Sequence, residues 1–232
     1  RAYISLGNVN FALGEFRKAV EYFEKSLKIA REIGDRAGEG IVNGNLGYVH
    51  YSLGKSQEAI EYHEKSLAIA KEIGSQAEEG RAYGNLGHAY GLLGDHRKAI
   101  KYHKEDLKTA TKIGHRFGEG GAYHNIGVTY FWLGQFDIAV GYFVAAVNVY
   151  NSLRSLLKSG NNLKLKFRDL HEETYLCLWV SLLGIGMINE ALVAADQGRA
   201  QTLYDNLLIQ YGLVSPLSCA TFDSNETTIH LF

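Results

Sequence analysis

The sequence predicts an all-α fold, a solenoid of stacked helical hairpins. Three observations carry the expectation: a forty-residue recurrence, helical spacing of apolar residues within each recurrence, and a single proline among 232 residues. The recurrence is dense. Leu6-Gly7, Leu46-Gly47, Leu86-Gly87 and Ile126-Gly127 keep one step, and so do Leu13-Gly14, Leu53-Gly54, Leu93-Gly94 and Leu133-Gly134. Ala19, Ala59, Ala99 and Ala139 follow it, as do Tyr22, Tyr62, Tyr102 and Tyr142. Duplication of one structural unit is the simplest cause.

Within a unit, Tyr83, Leu86, Ala89 and Tyr90 share one helical face, and Ala99, Ile100, His103 and Leu107 form a second stripe after Gly94. Each unit therefore reads as two helices. Gly94 is free to take the left-handed conformation that closes the first helix, Asp95 to cap the second, and Gly114 to close that one, with Ser56 and Gly74 in the matching places one unit earlier. Gly47, Gly87 and Gly127, with Ala59, Ala99 and Ala139, mark where helices approach closely. On the second helices Glu21 and Lys25, Glu24 and Lys28, and Glu61 and Lys65 stand four apart and read as solvated ion pairs. One such pair of helices cannot bury its own apolar stripe, so neighbouring units must stack.

The register breaks after Tyr150. Four units, the first truncated at its N-terminus, fill 1–150; a polar, basic insertion around Gly160-Asn161-Asn162 is expected over 151–168. A degenerate fifth hairpin with Tyr175, Leu178, Leu182, Gly186 and Ala191 spans 169–211. Residues 212–232, with "LSCATF" and "TTIHLF" around a turn, read as a linker or the first strands of a following domain.

Composition excludes several functions. A formal charge of -1 provides no field for nucleic acid or an anionic membrane, and neither is expected as a partner. Two cysteines without C-x-x-C spacing point to a reducing, cytoplasmic setting, and the longest apolar stretch noted, 176–188, is too short to cross a bilayer. No nucleotide, zinc-protease, hydrolase or calcium motif occurs, so no enzyme, metal or cofactor is expected. Gly184-x-Gly186 reads as a hairpin turn. His63 and His103 stand where sister units carry Phe23 and Phe143 and read as packed imidazoles; Cys177, with His171 on another face, reads as a packing residue.

The pattern Tyr83-x-x-Leu86-Gly87-x-x-Tyr90, then Gly94 and Ala99, resembles the tetratricopeptide repeat, lengthened to forty residues. The phrases "AYGNLG" and "AIEYHEKSLAIAKEIG" resemble Pins-type G-protein signalling adaptors and, more loosely, kinesin light chains. That resemblance implies a right-handed α-solenoid and a protein-binding scaffold. The phrase "EALVAADQGRAQTLYDNLL" resembles the helix joining such repeats to caspase-like CHAT domains, which implies an alternative role as the regulatory arm of a larger protein.

Candidate ligand residues follow from asparagine at one position of successive first helices. Asparagine is a poor mid-helix residue, so Asn45, Asn85 and Asn125 need a partner, either a neighbouring helix or a ligand backbone. If first helices line a concave surface, Arg81, Asn85 and His88 share a strip with Asn45 and Tyr48, with Asn125 and Trp132, with flanking His124 and Phe131, and with Asn8 toward the N-terminus. Tyr48, Phe131 and Trp132 are expected as apolar anchors, with packing between units the alternative for the last two. Arg81 would favour an acidic peptide. Self-association through a truncated N-terminal edge carrying Tyr3, Leu6 and Phe11 is a third expectation.

Overall fold

The computed structural model describes residues 1–156 and 161–211, with side chains over 1–154 and 172–199. The described residues form helices and turns with no strand, in the expected all-α architecture of tandem hairpins. The chain divides into two compact units, Arg1–Gly114 and a second from His115 onward. The first contains α1 (Ala2–Ala12), α2 (Phe16–Glu32), α3 (Arg36–Ser52), α4 (Ser56–Glu72), α5 (Gln76–Leu92) and α6 (His96–Lys112). The second contains α7 (Arg116–Trp132), α8 (Phe136–Leu156), α9 (Asn161–Gly184) and α10 (Ile188–Tyr211).

Local chemistry sets the helix ends. Gly94 adopts φ +85°, its N–H donates to Gly91 O at 3.0 Å, and the Asp95 N–H reaches Tyr90 O at 2.9 Å, which satisfies carbonyls that α5 would otherwise orphan. Asp95 then accepts from the Lys98 N–H at 3.0 Å and so starts α6. Asp35 does the same for α3 through the Gly38 N–H at 2.8 Å. Ser56 does not cap α4. It is the first helical residue, and Lys55 in the cap position offers no side-chain acceptor.

Glycine in the middle of the first helix of each of the first four hairpins seats a ring from the second. A Cβ on Gly87 would lie 2.3 Å from His103 Cε1, and one on Gly47 would lie 2.5 Å from His63 Cε1. Phe23 on Gly7 and Phe143 on Gly127 repeat the arrangement. The close approach thus belongs to a flat ring against backbone; a Cβ on Gly91, not on Gly87, would meet Ala99. His63 and His103 are buried at 1% and 2% exposure, as their place in the repeat predicts.

Around these seats the first unit builds two apolar clusters. Ala19, Phe23 and Leu27 of α2 meet Val42, Leu46 and Val49 of α3; Ala59, Ile60 and Leu67 of α4 meet Ala82, Leu86, Ala89 and Tyr90 of α5, with Ala99 of α6. Full burial of one such Leu or Val is worth about 1.5–3 kcal/mol, enough to outweigh a helix-interior glycine at about 1 kcal/mol. In the second unit Ala139, Phe143 and Val147 of α8 pack with Tyr175, Leu178 and Leu182 of α9 and Ala191 and Ala194 of α10. The stretch Phe136–Arg154 of α8 is long and apolar enough to cross a bilayer, but its Phe143 and Val147 are spent on this core and its Tyr150 is buried against Gly120 and Phe117 of α7.

The segment 151–168, expected as an insertion between hairpins, is helical at both ends: α8 continues to Leu156 and α9 begins at Asn161, with 157–160 outside the described residues. Leucine, lysine and arginine in "LKLKFR" are good helix formers, and no proline stops them. On the surface, the ammonium of Lys65 sits 4.8 Å from the Tyr62 ring and that of Lys25 sits 5.4 Å from the Tyr22 ring, in place of the expected ion pairs with Glu61 and Glu21. A ring three residues back offers a cation a face against which an exposed carboxylate, screened by water, holds no advantage. Gly186, at φ +80°, makes the turn between α9 and α10. The strand-like phrases at 212–232 and Cys219 lie outside the described residues.

Candidate functional site

A cavity of about 190 Å³ opens between the first helices of neighbouring hairpins in the first unit. Asn45, Tyr48, Ile41 and Gly44 of α3 form one wall, Arg81, Asn85, Glu78 and Ala82 of α5 the other, and Ser66 of α4 the floor. The helical period brings these together: residues 41, 44, 45 and 48 share one face of α3, and 78, 81, 82 and 85 one face of α5. Cofactor pockets usually hold about 300–1,000 Å³. This space suits a piece of chain lying across two helices.

Both carboxamides are half-buried, and among the described residues neither hydrogen-bonds to the protein. The neighbouring-helix alternative for these asparagines is therefore not what α3 and α5 display. Asn43 shows the contrast: it is buried and donates its amide to Glu39 O at 2.9 Å. Below the carboxamides, the Ser66 hydroxyl donates to Gly40 O at 2.9 Å and ties α4 to α3. Arg81 is exposed and lies 3.4 Å from Glu78, a surface pair worth about 0–1 kcal/mol.

An aromatic run borders the cavity. Phe11 packs on Phe16 and on Tyr48, with ring centroids 5.4 and 5.1 Å apart; Tyr48 continues to Tyr51 at 6.3 Å and Tyr51 to His88 at 6.3 Å. His88 in turn meets His103 edge-on at 5.1 Å. Asn45, Tyr48, Arg81, Asn85 and His88 are thus gathered on one side of the first unit. Asn8 is exposed on α1 at the register position of Tyr48 and His88. Phe11, expected as an uncovered edge residue, is instead half-buried beneath Tyr48 and Phe16.

The second unit repeats the strip less faithfully. Asn125 is half-buried on α7, and Trp132 is 73% exposed at its end. His124 does not flank an open surface. It is buried at 6% exposure, Nδ1 lies 2.9 Å from Thr174 Oγ1 of α9, and its ring lies beside Phe143. Phe131 likewise packs into the core against Phe136 at 5.3 Å. The Phe131–Phe136 contact repeats that of Phe11 on Phe16 in the first hairpin, whereas His124 stands where sister units carry Gly44 and Gly84 and takes its partner from α9. Among the described residues no group of His, Cys, Asp or Glu is placed to hold a metal ion. Cys177 is a free thiol that burial pushes up to about 11, well away from nucleophilic range at neutral pH.

The hairpins and their seats define the chain as a tandem helical-repeat protein. Models described as "Tetratricopeptide repeat" match residues 1–72, 38–112 and 121–153. The chain belongs to the tetratricopeptide repeat family. A stretch of 44 residues, 19% of this chain, is 50% identical to human G-protein-signaling modulator 1, of which it covers 6%. The chain thus spans a small fraction of that relative. Among solved structures, BtubC (BKLC) from P. vanneervenii has a TM-score of 0.74 at 20% identity, over 97% of this chain and 86% of that one. A Rap protein complexed with competence and sporulation factor has a TM-score of 0.69 at 16% identity, over 88% of this chain and 54% of that one. At such identities the likeness is one of fold.

Proposed function

We propose that this chain is a non-enzymatic protein-interaction scaffold that holds an extended or helical polypeptide segment against its first helices, with Asn45 and Asn85 bonding to the ligand backbone. The observation that carries the reading is the pair of half-buried carboxamides, unbonded within the protein and facing one cavity. A carboxamide both donates and accepts, so it matches a peptide group whatever side chain follows. Support also comes from the Rap protein, a fold neighbour solved in complex with a factor, and from the match to a G-protein-signaling modulator.

Energies divide the roles. Two or three amide contacts at about 0.5–1.5 kcal/mol each yield only a few kcal/mol, whereas micromolar affinity needs about 8 kcal/mol. An exposed aromatic supplies the difference: Tyr48, at 48% exposure, lines the cavity. Arg81 can exchange Glu78 for a ligand carboxylate at little cost, which favours acidic residues in the bound segment. The test is selection of binders from a random dodecapeptide library, followed by affinity measurement on Asn85→Ala combined with Arg81→Glu. A loss of about tenfold or more is expected, about 1.4 kcal/mol; unchanged affinity overturns the reading.

A second reading, self-association through α1, is favoured by one comparison. Leu6 and Val9 are 42% and 55% exposed, while Leu46 and Val49 at the same register are at 0% and 1%. Light scattering over a concentration series with Leu6→Glu distinguishes the two. A mass that rises with concentration in the native chain and not in the variant supports self-pairing, and a constant monomer mass removes it.

A further inference from the structure

Asp106 of α6 stands forty residues after Ser66, the floor of the cavity, and eighty after Ser26; forty residues later the chain has Ala146. Three small residues and one acid share the position. Ser66 satisfies itself by donating to Gly40 O. Asp106 makes no such bond toward the carbonyls of α5, and in its ionised form it has no proton to donate.

What surrounds it is glycine. A Cβ on Gly84 would lie 2.9 Å from Asp106 Oδ2 and one on Gly80 would lie 3.4 Å from Oδ1, so the two glycines give the carboxylate room beside the backbone of α5. Within the α5–α6 hairpin no ion pair or hydrogen bond to this carboxylate is formed. Burial alone pushes it up to about 7, with no neighbouring cation to pull it back. The hairpin therefore carries a partly exposed acceptor that none of the described side chains fills, on the helix pair that also displays Asn85 and Arg81.

The group that answers such an acceptor is an N–H-rich cation, because charge-assisted hydrogen bonds are about twice as strong as neutral ones and offset the desolvation already suffered. A metal ion is a poor match, since among the described residues no group of His, Cys, Asp or Glu is placed to hold one. We propose that Asp106 is the subsite for a basic side chain, Lys or Arg, of the polypeptide held by α5; the inference rests on the peptide-binding reading above. With Arg81 on the same hairpin, the surface would then read a ligand carrying both charges in order.

The experiment uses the full chain and the random dodecapeptide library. Native protein is expected to select peptides enriched in Lys or Arg at one position. Asp106→Ser, which restores the side chain that Ser66 shows the fold accepts, should still select binders but lose that enrichment, and Asp106→Lys should replace it with Asp or Glu. The carboxyl ¹³C resonance of Asp106 adds a readout that a structural role would not move: a selected peptide should lower its titration midpoint from near 7 by about one unit or more. Equal enrichment in the native chain and Asp106→Ser, or a midpoint unmoved by bound peptide, overturns the proposal. Asn85→Ala separates the two claims, because loss of binding there beside an indifferent Asp106 leaves the backbone-binding reading standing and removes only the subsite.

Discussion

At the scale of the residue, one seat accepts two chemistries. Phe23 and Phe143 press a ring against glycine in the outer repeats, and His63 and His103 do so between them. His63 is held neutral, its pKa lowered to about 4 by burial first and by the nearby His88 second. An unfolded imidazole protonates near 6.5, so the unfolded chain binds more protons as pH falls from there to about 4. The stability that neutral His63 confers is thus complete above 6.5 and lost on the way down. His63→Phe should leave urea midpoints near pH 7.5 little changed and raise them at pH 4.5, with up to about 3 kcal/mol recovered. A similar slope in both proteins would show that His63 is not the sensor. Gly87→Ala tests the seat itself: its Cβ meets the buried His103 ring, and a loss of about 1–3 kcal/mol in urea denaturation is expected.

At the scale of the element, caps decide how cheaply each helix starts. Asp95→Ala should lose about 1 kcal/mol by freeing the Lys98 N–H, while Lys55→Asp, placing an acceptor at the uncapped start of α4, should gain a similar amount in chemical denaturation. Asp95 was legible because an acid directly follows a Leu-Gly helix stop; Ser56 misled because the same logic placed the cap one residue late. The helices themselves follow from the forty-residue period, which survives in Leu-Gly pairs even where surface residues differ. Lost to that reading were contacts between residues without a repeated partner. His124, where sister units carry Gly44 and Gly84, took its surroundings from Thr174 on α9; the contact of Phe131 with Phe136 was legible, since it repeats that of Phe11 with Phe16 three periods earlier. Asp106 carried a visible signal, an acid where its sister positions hold Ser or Ala, but only the glycines facing it show that the charge has nowhere to go.

At the scale of the whole molecule, stability in tandem repeats is close to a sum of unit and nearest-neighbour contributions, so an altered hairpin is felt mainly by the hairpins that touch it. Binding is expected to draw on the same economy: Asn45 and Asn85 belong to consecutive hairpins, and their spacing is set by packing of α4 against α5 through Leu67 and Leu86. A substitution such as Leu86→Ala, far from any ligand atom, should therefore weaken peptide capture as well as cost about 2–5 kcal/mol of folding free energy, read by parallel titration and denaturation. The ring seat in the second hairpin has a different reach. Terminal coils usually fray first in such arrays, yet an imidazole with no route for its charge makes an interior link the one that acid loosens. Hydrogen exchange at mildly acidic pH would then open α3 and α4 ahead of α1 and α2, separating the two carboxamides while the first hairpin still holds.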